Sequence, residues 1–284
     1  MEFNNIAIIG AGLMGSGIAQ VVAQAGFSVS IHDIEPLCLD KAKAKIVSNL
    51  QKATAKGRLS EVDARAVLDR ISFTSKFEDA IGDADYIIEA VPESRDLKQI
   101  VFKELDRKAK DTAILASNTS ELSISDIASS TSKPERVIGT HWFYPPQVMR
   151  LIEVVKGDRT SDATLRATLD FCSKLGKETV VCKDATGFIT SRAISALIAE
   201  CMRIYEDGIA SVEDIDKAMR LGFNHPIGPF QLVDMSGVDV VCHALEGLSL
   251  SYGERFAPGK RMRELLKKGQ LGQKTGQGFY KYEV

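Results

Sequence analysis

The feature that most constrains this chain is the segment IAIIGAGLMGSGIAQVVAQAG at residues 6–26. An apolar run typical of a strand enters a turn with glycines at positions 10, 12 and 15, and a helical apolar pattern follows. In this G-x-G-x-x-G spacing, Gly10 permits the tight turn, Gly12 lets a pyrophosphate approach the backbone, and Gly15 lets helix and strand pack closely. The first helical N–H groups, at Leu13 and Met14, can receive the phosphates. The segment therefore predicts a dinucleotide site.

An acidic residue at the end of the next strand indicates which dinucleotide is bound. Asp33 ends VSIHD and lies 18 residues beyond Gly15. A carboxylate at this place hydrogen-bonds the adenosine ribose hydroxyls and repels a 2′-phosphate, so NAD is favoured over NADP. The alternative is a tight α/β turn that binds no cofactor, but the strand, the helix and the acid together favour the NAD site.

The rest of the first ~185 residues alternates short apolar runs with helical patterns, which is typical of a parallel α/β sheet. A long insertion at about residues 37–68 is predicted to form two projecting helices, the first ended by Gly57 and the second capped by Ser60. The predicted strands are Ile6–Gly10, Ser28–His32, Tyr86–Val91, Ala113–Ser117, Val137–Thr140, Leu151–Val155 and Thr179–Cys182.

After Gly187 the apolar residues recur at helical spacing almost to the end of the chain. The sequence thus predicts an α/β Rossmann-type NAD-binding domain followed by an all-α C-terminal domain. We place the first domain at residues 1–185 and the second at residues 186–284.

Composition excludes several classes of partner. The chain has 44% apolar and 26% charged residues, as soluble globular proteins do. Its net charge of −2 does not indicate a binding surface for nucleic acid or for an anionic membrane. No apolar stretch reaches the ~18 residues of a membrane span, and the N-terminal residues lead directly into a strand, without room for a signal peptide. The five scattered cysteines indicate reduced thiols in the cytoplasm. No close grouping of potential ligands indicates a metal site.

Three segments supply candidate catalytic groups. Two of them follow predicted strands, and the third is itself a predicted strand. Ser120 lies in ASNTSELS, His141 in GTHWFYPP, and Glu153 in LIEVV, twelve residues after the histidine. Oxidation of an alcohol requires a base for the hydroxyl proton, and histidine suits this because its ordinary pKa, about 6.5, lies near neutral pH. A buried carboxylate could fix its tautomer and stabilise the imidazolium, and Ser120 could hold the substrate oxygen.

A simpler interpretation exists for each of these residues. A lone histidine on an apolar strand is more often a packed core residue than a base. A strand glutamate is harder to dismiss, because a carboxylate is costly to bury without a partner. The sequence does not show whether Glu153 is buried.

Several motifs together resemble the L-3-hydroxyacyl-CoA dehydrogenase family, and within it the short bacterial 3-hydroxybutyryl-CoA dehydrogenases. They are GAGLMGSGIAQ, EAVPES, ASNTSELSI, GTHWFYPPQVMRLIEVV, NHPIGPFQLVDMSGVD and GQKTGQGFYKYEV, and they span essentially the whole chain. The resemblance implies NAD-dependent interconversion of a 3-hydroxyacyl-CoA and a 3-oxoacyl-CoA. It also implies a homodimer formed through the C-terminal domain.

The resemblance assigns expected roles residue by residue. His141 corresponds to the general base, Glu153 to its orienting acid and Ser120 to the serine that hydrogen-bonds the substrate oxygen. The further expected cofactor contacts are Glu93, Lys98, Asn118, Ser120 and Lys274, and the expected coenzyme A contacts are Asn49, Lys52 and Lys56. From the sequence alone, a solvated i,i+4 helix face is the better explanation of Lys52 and Lys56.

Two positions depart from the family pattern. Tyr144 stands where the family has an asparagine near the nicotinamide, and Ser191 stands where it has an asparagine that orients the acyl group. These changes leave two alternatives open beside the acyl-CoA dehydrogenase. One is a dehydrogenase of a free 3-hydroxy acid, as related gulonate or carnitine dehydrogenases are, and the other is a catalytically weak NAD-binding protein.

Overall fold

The computed structural model describes residues 3–283 and contains two compact units, one ending at Asp184 and one beginning at Ala185. The first is an eight-stranded sheet with helices, and the second is helical, so the predicted fold class is confirmed. Within residues 3–283 no helix is both long enough and apolar enough to span a bilayer.

The sheet of the first unit consists of the strands β1 Asn5–Ile9, β2 Ser28–His32, β3 Ile71–Thr74, β4 Tyr86–Glu89, β5 Ile114–Ser117, β6 Val137–Trp142, β7 Leu151–Lys156 and β8 Glu178–Lys183. Their order in the sheet is β3-β2-β1-β4-β5-β6-β7-β8. The central strands β4, β5 and β6 are buried along their whole length, and their buried residues include the polar side chains of Glu89, Ser117 and His141. Strands buried on both faces are typical of a sheet covered by helices.

The edge strand β3 was not among the predicted strands. Only Ile71 of its four residues is buried, so the apolar pattern that marks the central strands is missing there. It pairs in parallel with β2, from Val29 opposite Ile71 to His32 opposite Thr74.

The largest departure from the predicted parallel sheet is β7, which runs antiparallel to β6. Only residues 143–150 connect these two strands. A crossover between parallel strands needs a dozen or more residues. Because this connection is shorter, the strand that follows it runs antiparallel to β6. The resulting register places Glu153 directly opposite His141.

The helices of the first unit are α1 Leu13–Gln24, α2 Pro36–Ala55, α3 Glu61–Asp69, α4 Phe77–Ile81, α5 Arg95–Lys108, α6 Ile124–Ala128 and α7 Asp162–Lys174. The two predicted helices of the insertion are α2 and α3. Gly57 follows α2 with a φ of +66°, and the Ser60 side chain accepts a hydrogen bond from the Asp63 N–H at the start of α3.

The second unit consists of α8 Thr190–Glu206, α9 Val212–Gly222, α10 Pro229–Ser236, α11 Val238–Tyr252 and α12 Lys260–Lys267. Its own core joins side chains from all five helices, among them Met202, Phe230 and Leu245. Gly237, with a φ of +104°, separates α10 from α11.

Two buried carboxylates hold this helical unit together. Asp216 accepts hydrogen bonds from the N–H groups of Phe230 and Gln231, at the start of α10, and from the Tyr280 hydroxyl. Asp234 accepts from the N–H groups of Phe279 and Tyr280. Through these hydrogen bonds, Asp216 and Asp234 connect α9 and α10 with the segment that follows α12. Asp234 belongs to the motif NHPIGPFQLVDMSGVD, and its partners belong to the motif GQKTGQGFYKYEV, so both motifs have a structural role.

Candidate active site

The glycine-rich turn has the geometry of a phosphate cradle. Gly10 has a φ of +106°, and its N–H donates to the His32 carbonyl at 2.8 Å, which ties the turn between β1 and α1 to the end of β2. Gly12 is the N-cap residue of α1, and no described side chain makes a capping hydrogen bond there. The first N–H groups of a helix lack intrahelical acceptors, so those of Leu13 and Met14 are donors for a ligand anion.

Space at the turn also fits a pyrophosphate. A Cβ atom placed on Gly12 would meet no described atom within 4 Å, whereas one placed on Gly15 would lie 1.8 Å from the Gly10 carbonyl oxygen. Gly12 therefore borders open space, and Gly15 packs α1 against the turn. Asp33 lies at the end of β2, where its Oδ2 accepts from the Ala11 N–H at 2.8 Å. The residues fit NAD.

This contrast gives a paired prediction. Gly15→Ala should weaken NADH binding by about tenfold or more and lower the Tm, because its methyl group must displace backbone. Gly12→Ala should weaken NADH binding comparably but leave the Tm within a few degrees of the parent value. Fluorescence titration with NADH and thermal unfolding measure the two effects. A normal NADH affinity in Gly12→Ala would contradict the cradle.

His141 and Glu153 form a buried pair across β6 and β7. The Nδ1 atom of His141 lies 2.7 Å from Oε2 of Glu153, with 6% and 0% of the two residues exposed. Phe143 packs against the imidazole, with 4.5 Å between ring centroids. A carboxylate on Nδ1 fixes the tautomer that carries its proton there, so Nε2 can exchange a proton with a substrate. This is the arrangement of a general base with an orienting acid.

The loop after β5 lies beside the histidine strand. Asn118 accepts a hydrogen bond from the Trp142 N–H at 3.0 Å, one residue after His141, which ties this loop to β6. Since Ser117 is paired with Gly139, Ser120 and His141 lie at the same edge of the sheet. Ser120 is exposed, and its N–H donates to Glu93 at 3.0 Å. The loop can thus present the Ser120 hydroxyl to a bound molecule.

A second ionic cluster lies at the end of β4. The Lys98 ammonium contacts Glu89 at 2.6 Å and Glu93 at 3.2 Å, and both Lys98 and Glu89 are at most 1% exposed. Burial raises the pKa of Glu89, although Lys98, the Ser117 hydroxyl and the Val91 N–H oppose this shift. The sequence predicted Glu93 and Lys98 as cofactor contacts, a role that stays a prediction, and it did not single out Glu89. Its signal was a carboxylate within the apolar run YIIEAV, where burial demands a partner.

A cavity of about 410 Å³ lies along α1 and α2. Its lining includes all three predicted coenzyme A contacts together with two further cations and Tyr144, namely Lys45, Asn49, Lys52, Lys56, Arg58 and Tyr144. The side-chain oxygen Oε1 of Gln20, a buried residue of α1, accepts hydrogen bonds from the side-chain amides of Asn49 and Gln147, each at 3.1 Å. Sequence reasoning missed Gln20 and Arg58. The cavity can take an anionic ligand.

Two predicted site residues belong to the second unit. Ser191 lies in the first turn of α8 and is partly buried. The Lys274 ammonium contacts both carboxylate oxygens of Asp239, at 2.6 and 2.7 Å. Their expected roles toward substrate and cofactor stay predictions.

Comparison with known families assigns both units. The NAD-binding domain of 3-hydroxyacyl-CoA dehydrogenase matches residues 5–185, and the C-terminal domain of 3-hydroxyacyl-CoA dehydrogenase matches residues 187–282.

Individual relatives match over nearly their whole length. A probable 3-hydroxybutyryl-CoA dehydrogenase of Bacillus subtilis is 40% identical over 284 residues, which cover 100% of this chain and 99% of the relative. A probable 3-hydroxyacyl-CoA dehydrogenase of Caenorhabditis elegans is 41% identical over 289 residues, covering 99% and 94%. The crystal structure of (S)-3-hydroxybutyryl-CoA dehydrogenase from Ralstonia eutropha is 38% identical, has a TM-score of 0.96 and covers 100% of both chains.

Proposed function

This chain belongs to the 3-hydroxyacyl-CoA dehydrogenase family, and on that premise we propose that it interconverts (S)-3-hydroxybutyryl-CoA and acetoacetyl-CoA. It is an NAD-dependent oxidoreductase. The observation that carries the proposal is the buried His141–Glu153 pair at the same sheet edge as Ser120. The relatives named for the hydroxybutyryl substrate support the short acyl chain.

In the proposed mechanism His141 moves the proton. Its Nε2 removes the proton of the C3 hydroxyl in oxidation and returns it to the C3 oxygen in reduction. Glu153 keeps the Nδ1 proton in place and stabilises the imidazolium while it exists. The Ser120 hydroxyl donates a hydrogen bond to the C3 oxygen, where negative charge develops. Bound NAD would accept the C3 hydride in oxidation, and bound NADH would return it to C3 in reduction.

The cavity beside α1 and α2 supports a coenzyme A thioester over a free hydroxy acid. Its exposed cations Lys45, Lys52, Lys56 and Arg58 can neutralise the phosphates of a nucleotide, which a free acid lacks. Tyr144 lines the same cavity and is 56% exposed. We therefore propose that the residue replacing the family's asparagine borders the thioester rather than reproducing an amide contact.

The decisive assay is NADH consumption with 3-oxoacyl-CoA substrates of increasing length and with free 3-oxo acids. Lys52→Ala and Lys56→Ala should each raise the KM for acetoacetyl-CoA roughly threefold to fivefold, since an exposed ion pair contributes up to about 1 kcal/mol. Lys43→Ala is the matched control, because Lys43 is exposed on α2 but does not line the cavity. Equal activity on free acids would favour the alternative dehydrogenase, and NADH binding without turnover would favour a catalytically weak protein.

We also propose a homodimer formed through the second unit. This unit exposes large apolar side chains that a partner surface would cover, including Leu221 at 76%, Phe223 at 72% and Leu250 at 91%. Sedimentation should give twice the chain mass of 31.0 kDa. A single-chain mass at micromolar concentration would contradict the dimer. A cytoplasmic location, and a place in fatty-acid or butanoate metabolism, stay predictions.

A further inference from the structure

The carboxylate of Asp184, the last residue of the first unit, accepts three hydrogen bonds from the start of α6. Its Oδ2 accepts from the Ser123 hydroxyl and from the Ser125 N–H, each at 2.7 Å, and its Oδ1 accepts from the Ile124 N–H at 3.1 Å. The first N–H groups of a helix lack acceptors within the helix, so a carboxylate that receives them holds the start of that helix in place. Asp184 is itself fixed, because its N–H donates to the Lys156 carbonyl at 3.2 Å and extends the pairing of β7 with β8.

The hydrogen bonds of Asp184 hold one end of the loop that carries Ser120. This Ser120 loop, residues 118–123, begins at Asn118, which accepts from the Trp142 N–H and is thereby tied to β6. The loop ends at Ser123, the N-cap residue of α6. Ser120 therefore lies between one anchor on β6 and a second anchor on Asp184.

The start of α6 also packs on the strand that carries His141. Ile124 is 0% exposed, and a Cβ atom placed on Gly139 would lie 2.8 Å from the Ile124 side chain. Gly139 precedes His141 by two residues on β6. A displacement of α6 therefore moves the Ser120 loop relative to the histidine.

Asp184 lies well away from the level of His141 in the sheet. His141 is opposite Glu153 on β7, and Glu153 is opposite Val180 on β8. Because β8 runs antiparallel to β6, Asp184 lies four residues farther from the end of β6 than Val180 does, which is about 13 Å along a strand. Asp184 therefore affects a substrate oxygen beside His141 through the residues that it holds, and not by direct contact.

We propose that Asp184 is a positioning residue, which fixes the Ser120 loop so that the Ser120 hydroxyl meets the substrate oxygen with which His141 exchanges a proton. The inference rests on the proposed function, since the roles of Ser120 and His141 belong to it. A reacting group displaced by about 1 Å can lose roughly 10²-fold in rate, so an anchor outside the site is enough to control turnover. The alternative is that Asp184 only stabilises α6.

Asp184→Asn is the first test. It preserves the size of the side chain but replaces one acceptor oxygen with an NH2 group, so at least one N–H group at the start of α6 loses its partner. We expect kcat for acetoacetyl-CoA reduction to fall by roughly tenfold to 10²-fold and the Tm to fall by about 3–6 °C. The KM should change by less than about threefold, because the cations of the cavity along α1 and α2 are unchanged.

Asp85→Asn is the matched control. Asp85 is also partly buried, and it accepts from two backbone N–H groups, those of Asn4 and Asn5, and from one side-chain donor, the Lys110 ammonium. It directly precedes β4, at the opposite edge of the sheet from Ser120. The control should lower the Tm to a similar extent but leave kcat within about twofold of the parent. Equal losses of kcat in the two variants would overturn the proposal.

A double-mutant cycle distinguishes action through Ser120 from an independent effect. Ser120→Ala removes the hydroxyl that Asp184 is proposed to position. The double variant Ser120→Ala/Asp184→Asn should therefore have a kcat within about threefold of that of Ser120→Ala. Losses of kcat that multiply would show that Asp184 acts independently of Ser120, which contradicts the positioning role.

Ser123→Ala takes the place of Asp184→Asn if the latter does not fold. It removes one donor to Asp184 together with the cap of α6. Ser161→Ala, which removes the corresponding cap of α7, is its control. The kcat should fall about fivefold in Ser123→Ala and stay within about twofold of the parent in Ser161→Ala. The same kcat in both would count against the anchor.

Hydrogen exchange followed by NMR tests the anchor without turnover. The N–H groups of Ser120 and Leu122 donate to Glu93 and to the Thr119 hydroxyl, so the Asp184 carboxylate is not their acceptor. Their exchange should be about tenfold faster in Asp184→Asn and unchanged in the control variant. If the parent protein reduces no thioester, the proposed function fails, but this measurement still decides the role of Asp184. Unchanged exchange at both N–H groups would then overturn it.

Discussion

Replacing His141 with alanine should lower kcat for acetoacetyl-CoA reduction by roughly 10³-fold, because a positioned general acid or base contributes 10²- to 10⁴-fold. The Kd for NADH should change by less than about twofold, since the imidazole is buried against Glu153 and Phe143 rather than at the glycine-rich turn. Steady-state kinetics and fluorescence titration measure the two quantities.

His243→Ala is the control for this experiment. His243 is exposed on α11 of the second unit, so its removal should leave kcat near the parent value. If His141→Ala consumes NADH at the parent rate, another group is the base. If it also abolishes NADH binding, His141 is a structural residue and the simpler interpretation of a packed core histidine applies.

Replacing Glu153 with glutamine should lower kcat by roughly 10²-fold or more while preserving side-chain size. The amide can pair with either tautomer of His141, so Nε2 is protonated in part of the molecules and cannot act as base there. The amide also provides no negative charge to stabilise the imidazolium. Kinetics of the oxidation and reduction directions, measured on the same preparation, give the effect.

Two further variants interpret the Glu153 result. Glu178→Gln makes the same chemical change on the neighbouring strand β8, where Glu178 forms an exposed ion pair with Arg150, and should leave kcat unchanged. The double variant His141→Ala/Glu153→Gln should be about as slow as His141→Ala, because the two residues act as a unit. A double variant that is slower by the product of the two single effects would show that Glu153 acts independently of His141.

Much of this molecule follows from local sequence patterns. The glycine spacing with Asp33 predicts the NAD turn, and the change of apolar spacing after Gly187 predicts the helical unit. These features depend on residues close in the chain, so a pattern within twenty to thirty residues contains them. The capping of α3 by Ser60 is of the same kind.

The sequence predicted less well the features that depend on contacts between residues far apart in the chain. The sequence placed Glu153 in the strand after His141, but only the antiparallel register of β6 and β7 puts the two side chains opposite each other. Glu89 was missed because its partners come from α5 and β5. Gln20 was missed because its two amide partners lie 29 and 127 residues away. Such contacts depend on how elements meet, which no local pattern specifies.

The β6–β7 hairpin has a consequence for redesign. Because His141 and Glu153 lie on adjacent antiparallel strands joined by eight residues, residues 137–156 contain both members of the proposed acid–base pair. The Ser120 loop and the lysines of the cavity come from other segments, and the hairpin adds Tyr144 to the cavity lining. Substrate specificity can therefore be varied by substitutions in loops outside residues 137–156, which leave both members of the proposed pair unchanged.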